Sequence, residues 1–387
     1  MADYGDLVDS DNEEEVDDLE ENAEDLFSYF EPPFYYPICI GYLLAQRYRI
    51  VHKLGHGGFS TVWMALDIVT KKDVAVKVTI PARDATDHES TMHNEIRQRV
   101  QDTSKLLLSS ETFSLPGPNG HHRVLVFPLR GPNLHSCFAS MSMANRMSAA
   151  KQVLQALKCL HDANIVHRDL NDKNIVCGIV PLDDYDIKMK YQYLGRPRKM
   201  AFQTPAGMLG ELVRPVVVPP SLLTQSVYLS DFGLAINAGT SVNYKPQSPS
   251  AWCAPERLHN VDPSAAGDMW SYMVIFTELY LGSLPWSIYG DAVRSIVKVL
   301  GPLPQTWYGQ YHQPGGRDVS WYDPSRQPEF TLEEMIKNAR PDVSPTERTH
   351  VLSFMLKGFS YDPQDRMTAA QLLDNASFQA VMGVYGA

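Results

Sequence analysis

The sequence predicts an α+β fold with two lobes: a small antiparallel β-sheet with one helix, followed by a larger and mainly helical lobe. Three observations lead to this prediction. Residues 47–80 contain short runs rich in valine, isoleucine and threonine, broken by glycines and by the turn sequence TKKD, a pattern typical of strands joined by turns. Residues 148–166 place apolar side chains at helical spacing. Residues 267–282 are apolar nearly all round, which indicates a buried helix.

The first lobe is assigned to residues 47–129, after an approach segment at 32–46. Within this lobe, residues 87–108 have the mixed charge of an exposed helix, and the run HRVLVFPL at 122–129 indicates a buried strand. The sequence therefore predicts a sheet that continues on both sides of a single helix.

The second lobe is assigned to residues 130–387, where the segment RGPNL forms the link from the first lobe. Helical patterns continue in this part to the end of the chain. Residues 178–226 follow neither the strand pattern of the first lobe nor the helical pattern of the second, and they are interpreted as an insert in the second lobe.

The charge of the chain is concentrated at its N-terminus. Residues 1–31 contain 14 Asp or Glu and no Lys or Arg; removing them from a formal net charge of −11 leaves +3 for the rest. Such a segment is expected to be a solvated, disordered tail, with a pseudosubstrate or a contact for a basic partner as the functional alternatives. Its charge does not suit a secretory or mitochondrial signal.

The cysteines and the apolar runs bear on location. The chain has 5 Cys without a CxxC pair, which favours reduced thiols and a cytoplasmic or nuclear protein. No run of 18 apolar residues occurs, so no membrane partner is expected.

A glycine-rich turn, LGHGGFSTV, occupies residues 54–62 between two predicted strands. Glycines allow backbone N–H groups to approach phosphates closely. The candidate nucleotide contacts in this segment are Leu54, Gly55, His56, Gly57, Gly58, Phe59, Ser60 and Val62. Lys77 lies on a following strand, and Glu95 in the next helix suits an ion pair that holds Lys77 on the phosphates of ATP. Glu89 is the competing partner, but it leaves less room for the connecting turn.

Two further motifs supply the groups for phosphoryl transfer. In HRDLNDKN, residues 167–174, Asp169 is placed to accept the proton of a substrate hydroxyl, and Asn174 offers an oxygen to Mg²⁺. In DFG, Asp231 would hold the metal that bridges the phosphates. Each motif alone is weak evidence, but the order of all of them along one chain is specific. Downstream, Asp268 is expected to anchor the catalytic loop, and Glu256 of APE to pair with Arg366.

From about residue 47 to residue 380 the chain resembles a eukaryotic-type protein kinase, which implies the kinase fold with ATP and Mg²⁺ as cofactors. By position, Phe127 resembles the gatekeeper of that family. The resemblance further implies a hinge formed by Pro128, Leu129 and Arg130, and apolar contacts to adenine from Val62, Ala75 and Val176.

Within the kinases, the chain is most similar to the SR-protein kinases and to their compact fungal members. The resemblance rests on the run GFSTVW, the hinge FPLRGPNL, the segment VLGPLP and the insert with its YLGRPRK sequence. It implies a serine/threonine kinase that acts as a monomer on basic or Arg/Ser-rich proteins, without direct contact to nucleic acid. An acidic docking groove for such a substrate would draw on Asp291, Glu333 and Glu334.

The chain departs from the serine/threonine kinases at Asn171, and from the SR-protein kinases at Arg168 and at DFG, where those enzymes usually carry a small polar variant of the motif. Arg168 stands where that family usually has threonine, and an arginine there can receive an activation-loop phosphate. Candidate acceptors are Thr240, Ser241, Tyr244, Ser248 and Ser250, with an unmodified polar loop as the alternative. Asn171 replaces the lysine of serine/threonine kinases, and Lys173 lies where many tyrosine kinases carry a basic residue. A serine/threonine kinase is therefore favoured, with a tyrosine kinase and an ATP-binding pseudokinase scaffold left open.

Overall fold

The computed structural model describes residues 4–8, 13–23, 26–31, 34–81, 87–117, 119–247, 249–287, 290–311 and 319–387. The chain separates into two compact units. Unit 1 consists of Met1–Ser90, Leu107–Pro132 and Cys177–Thr224, and unit 2 of Thr91–Leu106, Asn133–Val176 and Gln225–Ala387. Each unit is thus assembled from three stretches of chain.

The described strands are β1 (Asp6–Leu7), β2 (Leu43–Leu44), β3 (Tyr48–Gly57), β4 (Ser60–Asp67), β5 (Asp73–Thr79), β6 (Glu111–Gly117), β7 (Gly120–Pro128), β8 (Ile165–Val166), β9 (Ile175–Ile179), β10 (Arg198–Gln203), β11 (Leu209–Val213), β12 (Leu223–Leu229) and β13 (Ile236–Asn237). The described α-helices are α1 (Glu13–Asn22), α2 (His88–Arg99), α3 (Leu134–Cys137), α4 (Met143–Asp162), α5 (Ile187–Leu194), α6 (Pro255–Leu258), α7 (Ala265–Leu281), α8 (Ala292–Leu300), α9 (Leu332–Ala339), α10 (Pro345–Gly358), α11 (Ala369–Leu373) and α12 (Ala376–Val384). Strands β9 and β12 and helix α2 include residues of both units.

The main sheet of unit 1 has the strand order β2-β3-β4-β5-β7-β6, and its neighbouring strands are antiparallel. One face buries Ile50, Trp63, Val76 and Val126, because alternate residues of a strand point to the same side. The predicted α+β fold, with its small antiparallel sheet, is confirmed.

The acidic N-terminal segment is ordered where the structure describes it, contrary to the prediction of a disordered tail. Strand β1 pairs in parallel with β10, which is antiparallel to β11. Leu19 of α1 is buried in a cluster with Val8, Tyr29 and Leu212. Burial of these apolar side chains supplies the stabilisation that a purely acidic sequence would lack.

Basic side chains of β10 and β11 neutralise part of the acidic segment. Asp18 pairs with Arg214 at 2.8 Å and with Arg198 at 3.4 Å, and Glu15 pairs with Arg198 at 3.2 Å. The N-terminal segment therefore packs against the segment that was interpreted as an insert.

The insert packs on the sheet of unit 1 rather than with the helical unit to which the sequence assigned it. Lys190 of α5 donates to Asp73 at 2.6 Å, with both side chains buried. The Tyr191 hydroxyl donates to the Val51 carbonyl at 3.1 Å. Leu182 and Leu222 join the same apolar cluster. This part of the insert thus covers the sheet face opposite to Trp63, whereas Val213 of the insert joins the Trp63 cluster.

Unit 2 is mainly helical, as predicted. Helix α7 is its centre: among its residues, those from Gly267 to Tyr280 are buried, and it packs against α4 and α10. The Thr277 hydroxyl donates to the Met273 carbonyl, one turn earlier in the same helix, at 2.7 Å. In the part of the chain that the structure describes, no helix combines the length and the apolar character needed to cross a membrane.

Candidate functional site

The glycine-rich segment forms the turn between β3 and β4 in unit 1. Gly57 pairs with Ser60, so that only Gly58 and Phe59 lie at the tip, and Phe59 is exposed. A Cβ built on Gly55, Gly57 or Gly58 would meet no atom within 4 Å. Neither packing within the protein nor a left-handed backbone explains these glycines, whereas the close approach of a ligand to the backbone does. The turn therefore fits the phosphates of a nucleotide.

Tyr35 holds this turn from the N-terminal side. Its hydroxyl donates to the Gly57 carbonyl at 2.6 Å, and its ring is buried in the same cluster as Leu19 of α1. Nothing in the sequence signalled this contact, because the two residues are 22 positions apart and in no shared motif. Tyr35 thus positions the glycine-rich turn.

Lys77 pairs with Glu89, and the prediction of Glu95 as its partner is wrong. The Lys77 Nζ donates to the two carboxylate oxygens of Glu89 at 2.9 and 3.0 Å, with both side chains mostly buried. Glu95 instead accepts from Arg99 at 3.2 Å and from Asn237 at 3.0 Å. Helix α2 begins at His88, so Glu89 lies in its first turn, and Glu95 lies about 9 Å further along the axis. Helix α2 thus begins closer to the end of β5 in the chain than the prediction of Glu95 assumed.

The predicted apolar contacts of adenine share one cluster in unit 1. Leu54, Val62, Ala75, Phe127 and Leu129 all belong to it. Ala75 on β5 is paired with Phe127 on β7. Pro128 ends β7, and the hinge of Pro128, Leu129 and Arg130 stays a prediction. Val176, on β9, belongs to unit 2, and the structure shows it bridged to Asn133.

The catalytic loop of unit 2 brings Asp169 and Asn174 together. The Asn174 Nδ2 donates to the Asp169 carboxylate and to the Asp169 carbonyl, each at 2.8 Å. Burial, and after it the charge of Asp231, raises the pKa of Asp169 to about 6, while His167 and the Asn174 amide act in the opposite direction. Asp169 is therefore a half-buried carboxylate that is still ionised at neutral pH.

Asp231 lies beside this pair. Its backbone has a φ of 62°, the left-handed region that is uncommon for aspartate, and its carboxylate accepts from the Gly233 N–H at 3.3 Å. The neighbouring Ser230 N–H donates to the Asn174 carbonyl at 2.8 Å and so joins the two segments. Carboxylate and amide oxygens are the ligands that Mg²⁺ prefers, so Asn174 and Asp231 fit this ion.

Asp268 fixes the backbone of the catalytic loop, as predicted. Its carboxylate accepts from the His167 N–H at 2.7 Å and from the Arg168 N–H at 2.8 Å, and lies 3.0 Å from the His161 ring. Although burial opposes ionisation, these contacts keep the pKa of Asp268 below its ordinary value. Arg168 is held at a φ of 72° in this arrangement. The predicted pair of Glu256 and Arg366 is also confirmed, with two contacts of 2.7 Å.

Asn171 has a structural part in this loop. Its side chain is buried, accepts from the Lys173 N–H at 3.0 Å and donates to the Asp169 carbonyl at 3.1 Å. It thereby caps the 3-10 helix Asp172–Asn174. Lys173 is exposed and makes no side-chain hydrogen bond or ion pair with the described residues, so its ammonium group is available to a ligand.

The activation segment contacts the catalytic loop at Arg168. The guanidinium of Arg168 donates to the Tyr244 carbonyl, and Arg257 donates to the Arg168 carbonyl at 2.8 Å. Burial, and then the charge of Arg257, lowers the pKa of Arg168. Two adjacent cations are a suitable receiver for a phosphate. Of the candidate acceptors, Tyr244 is exposed, the Ser241 hydroxyl is bonded to Asp262 at 3.2 Å, and Ser248 lies outside the described residues.

The three acidic residues suggested for substrate docking differ in their surroundings. Glu334 forms the capping box of α9 with Thr331, and Asp291 caps α8 by accepting from the Arg294 N–H at 3.1 Å. Glu333 lines a cavity in unit 2 together with Lys337 and Arg348. Two of the three carboxylates are therefore engaged in helix capping.

Comparison with known proteins identifies the family. A family model described as protein tyrosine and serine/threonine kinase matches residues 48–375. The chain belongs to the protein kinase family. A crystal structure of a kinase domain aligns with this kinase at a TM-score of 0.63 and 19% sequence identity, covering 90% of this chain and 100% of that one, which supports the fold alone.

Relatives named SR-protein kinases also match. The serine/threonine-protein kinase SRPK of Physarum polycephalum is 24% identical over 418 residues, covering 96% of this kinase and 92% of the relative. The serine/threonine-protein kinase spk-1 of Caenorhabditis briggsae is 28% identical over 213 residues, which cover 51% of this kinase but only 18% of the relative. The chain thus spans about a fifth of that nematode protein. The predicted resemblance to SR-protein kinases is confirmed.

Proposed function

We propose that this protein transfers the γ-phosphoryl group of ATP to serine or threonine hydroxyls of protein substrates. The observation that carries the proposal is the arrangement in unit 2, where Asn174 orients Asp169 beside Asp231. Protein kinases generally use ATP and Mg²⁺. In unit 1, the bidentate pair of Lys77 and Glu89 and the open glycine turn supply the groups that such a nucleotide requires.

The residues of the site have distinct roles in this transfer. Asn174 and Asp231 would hold Mg²⁺, which would neutralise charge on the phosphates. Glu89 keeps the Lys77 ammonium oriented for the α- and β-phosphates. Asp169 accepts the proton of the substrate hydroxyl, and its amide contact from Asn174 fixes the oxygen that faces the substrate. The work of this loop is orientation and charge neutralisation, because phosphoryl transfer needs little covalent help from the protein.

Lys173 takes the role left open by Asn171. The Asn171 amide is occupied by two backbone contacts, so it offers little to a phosphate. Lys173 lies four residues after Asp169, is exposed and has no partner among the described side chains. We assign the γ-phosphate contact to Lys173. In this serine/threonine enzyme the positive charge would thus come from position 173 and not from position 171, where other serine/threonine kinases have a lysine.

The proposed substrates are basic or Arg/Ser-rich proteins. This part of the proposal rests on relatives that are named as SR-protein kinases and on the sequence motifs that resemble that family. Direct binding of nucleic acid is not part of the proposed activity. A monomer in the cytoplasm or nucleus is proposed with it, and light scattering and a fluorescent fusion test these two points.

The decisive experiment is phosphorylation of a peptide array by the purified wild type and by Asp169→Ala, in Mg-ATP, with phosphoamino-acid analysis. The proposal expects phosphoserine or phosphothreonine from the wild type only, with Arg-Ser repeats preferred to matched Lys-Ser repeats. Phosphotyrosine alone would assign the hydroxyl differently. Binding of ATP without turnover by the wild type would identify a pseudokinase scaffold. Equal labelling by both proteins would show a contaminating kinase.

A further inference from the structure

Three side chains, one in the catalytic loop and two in helices beside it, have no part in the proposed transfer. They are His135 in α3, Asp172 at the start of the 3-10 helix capped by Asn171, and Glu278 near the end of α7. One ligand atom from each lies within 4.8 Å of the others. Three segments of unit 2 that are distant in sequence therefore bring an imidazole and two carboxylates to one point.

The two carboxylates are buried and incompletely paired. The Asp172 side chain is 1% exposed; its Oδ2 contacts the His135 Nδ1 at 2.7 Å, while its Oδ1 is buried with no partner. Glu278 is 7% exposed, and its Oε2 is likewise buried with no partner. Within the described part of the chain, neither carboxylate receives a hydrogen bond from a lysine or arginine. Two adjacent buried acids that share only the His135 imidazole are costly to the fold, and a bound cation would relieve that cost.

We propose that His135, Asp172 and Glu278 together bind one divalent transition-metal ion, with Zn²⁺ as the best match. The ligand set decides the class of ion: Ca²⁺ and Mg²⁺ prefer oxygen alone, whereas imidazole with carboxylate suits Zn²⁺ and its neighbours. Three protein ligands leave one coordination position. A water molecule can fill that position, since the His135 side chain is 57% exposed and solvent reaches the cluster from its side.

The geometry requires a small adjustment. With metal–ligand bonds of about 2.0–2.2 Å, tetrahedral ligand atoms lie about 3.3–3.6 Å apart. The present contact of 2.7 Å between His135 and Asp172 must therefore open on binding. The exposed His135 side chain is free to make that movement, while buried Asp172 and Glu278 keep their places.

An ion at this point would link α3, α7 and the catalytic loop. Asp172 lies between Asn171, which holds the Asp169 carbonyl, and Lys173. Fixing Asp172 therefore restrains the backbone that connects Asp169 with Lys173. The site uses none of the oxygens of Asn174 and Asp231, and the proposal does not depend on kinase activity.

The test is metal binding by the full-length protein, stripped with a chelator, free of nucleotide and titrated with Zn²⁺ alone against a chromogenic indicator. Elemental analysis after gel filtration gives the stoichiometry, and the melting temperature with and without Zn²⁺ gives an independent readout. The variants are Glu278→Gln and His135→Ala. The controls are His121→Ala, at an exposed histidine of β7, and Asp231→Asn, in the proposed Mg²⁺ site.

We expect about one Zn²⁺ per chain in the wild type and both controls, and an affinity lower by at least about tenfold in Glu278→Gln and His135→Ala. Zn²⁺ should raise the melting temperature of the wild type but not of Glu278→Gln, because only a ligand that binds the folded state stabilises it. Absence of binding to the wild type, equal affinity in the two ligand variants, or loss in Asp231→Asn overturns the proposal. So does binding of an Arg-rich peptide that needs these three residues while Zn²⁺ does not bind, since the cluster would then receive a guanidinium.

Discussion

Lys77 donates to both carboxylate oxygens of Glu89, at 2.9 and 3.0 Å, from the middle of β5 to the first turn of α2. The pair is mostly buried, and Glu89 holds the ammonium group at a fixed position on the strand. Glu95, six residues further on the same helix, faces Arg99 and Asn237 instead. The two glutamates therefore offer a matched test.

Glu89→Gln should lower kcat/KM for ATP, and Glu95→Gln should change it little. Removing a charge-assisted contact costs about 1.5–3 kcal/mol, which corresponds to about ten- to a hundredfold in rate. Steady-state kinetics at varied ATP measure both variants. A larger loss in Glu95→Gln than in Glu89→Gln would contradict the structure.

Tyr35→Phe should raise the KM for ATP with little change in kcat. The hydroxyl contributes one hydrogen bond to the Gly57 carbonyl, worth about 0.5–1.5 kcal/mol, so the expected increase is roughly two- to tenfold. Tyr42→Phe, at an exposed tyrosine of the same unit, is the control. An unchanged KM in Tyr35→Phe would show that the turn is positioned without this contact.

The rate of transfer should fall in acid with a midpoint near pH 6. Burial and the charge of Asp231 raise the pKa of Asp169 to about 6, and only the ionised carboxylate accepts the substrate proton. Activity is therefore present above this pH and lost as pH falls through it. A pH profile of kcat/KM at constant ionic strength, with circular dichroism to verify folding, measures the midpoint. A midpoint near 4, the ordinary value of aspartate, would contradict the assignment.

Asp169→Asn should abolish transfer and raise the melting temperature at pH 7. A carboxylate whose pKa is raised in the folded state binds protons more tightly folded than unfolded, so its ionisation destabilises the fold as pH rises. Asparagine removes that cost and can still accept from the Asn174 amide. Each kcal/mol recovered corresponds to about 2–4 °C in domains of about 150–250 residues and to less in a longer chain such as this one. Differential scanning calorimetry would refute the prediction by showing a lower melting temperature.

Lys173→Ala should reduce kcat by about tenfold or more, since it removes a charge at the transferring group. The melting temperature should stay within the range of Lys357→Ala, a control at another exposed lysine, because Lys173 supports no described side chain. An unchanged kcat would leave the γ-phosphate contact to another group.

The sequence was sufficient for the residues that belong to contiguous motifs. The order of strand, helix and loop around Lys77, Asp169 and Asp231 follows from period and motif spacing, and the structure agrees. It was insufficient where a contact joins distant segments. Glu95 was preferred to Glu89 because the length of the turn before α2 cannot be judged from composition. Strand β6 was not predicted: it lies at an edge of the sheet and contains Pro116, which masks its period.

The N-terminal segment shows a second limit of sequence reasoning. Its acidic composition predicted disorder, yet Leu19 is buried and Asp18 is paired with Arg214. The partners lie about 200 positions away in the insert, so no local window of sequence contains both. The same separation explains why the insert was assigned to the wrong neighbour.

The composition of unit 1 from three stretches of chain has a consequence for synthesis on the ribosome. Strands β3 to β5 emerge early, but Leu182, Tyr191 and Leu222, which cover one face of their sheet, are translated more than a hundred residues later. Until Thr224 has left the exit tunnel, the apolar face that contains Val51 and Met64 lacks these covering side chains. One face of the sheet in this kinase is thus completed only after the middle of the chain has been made.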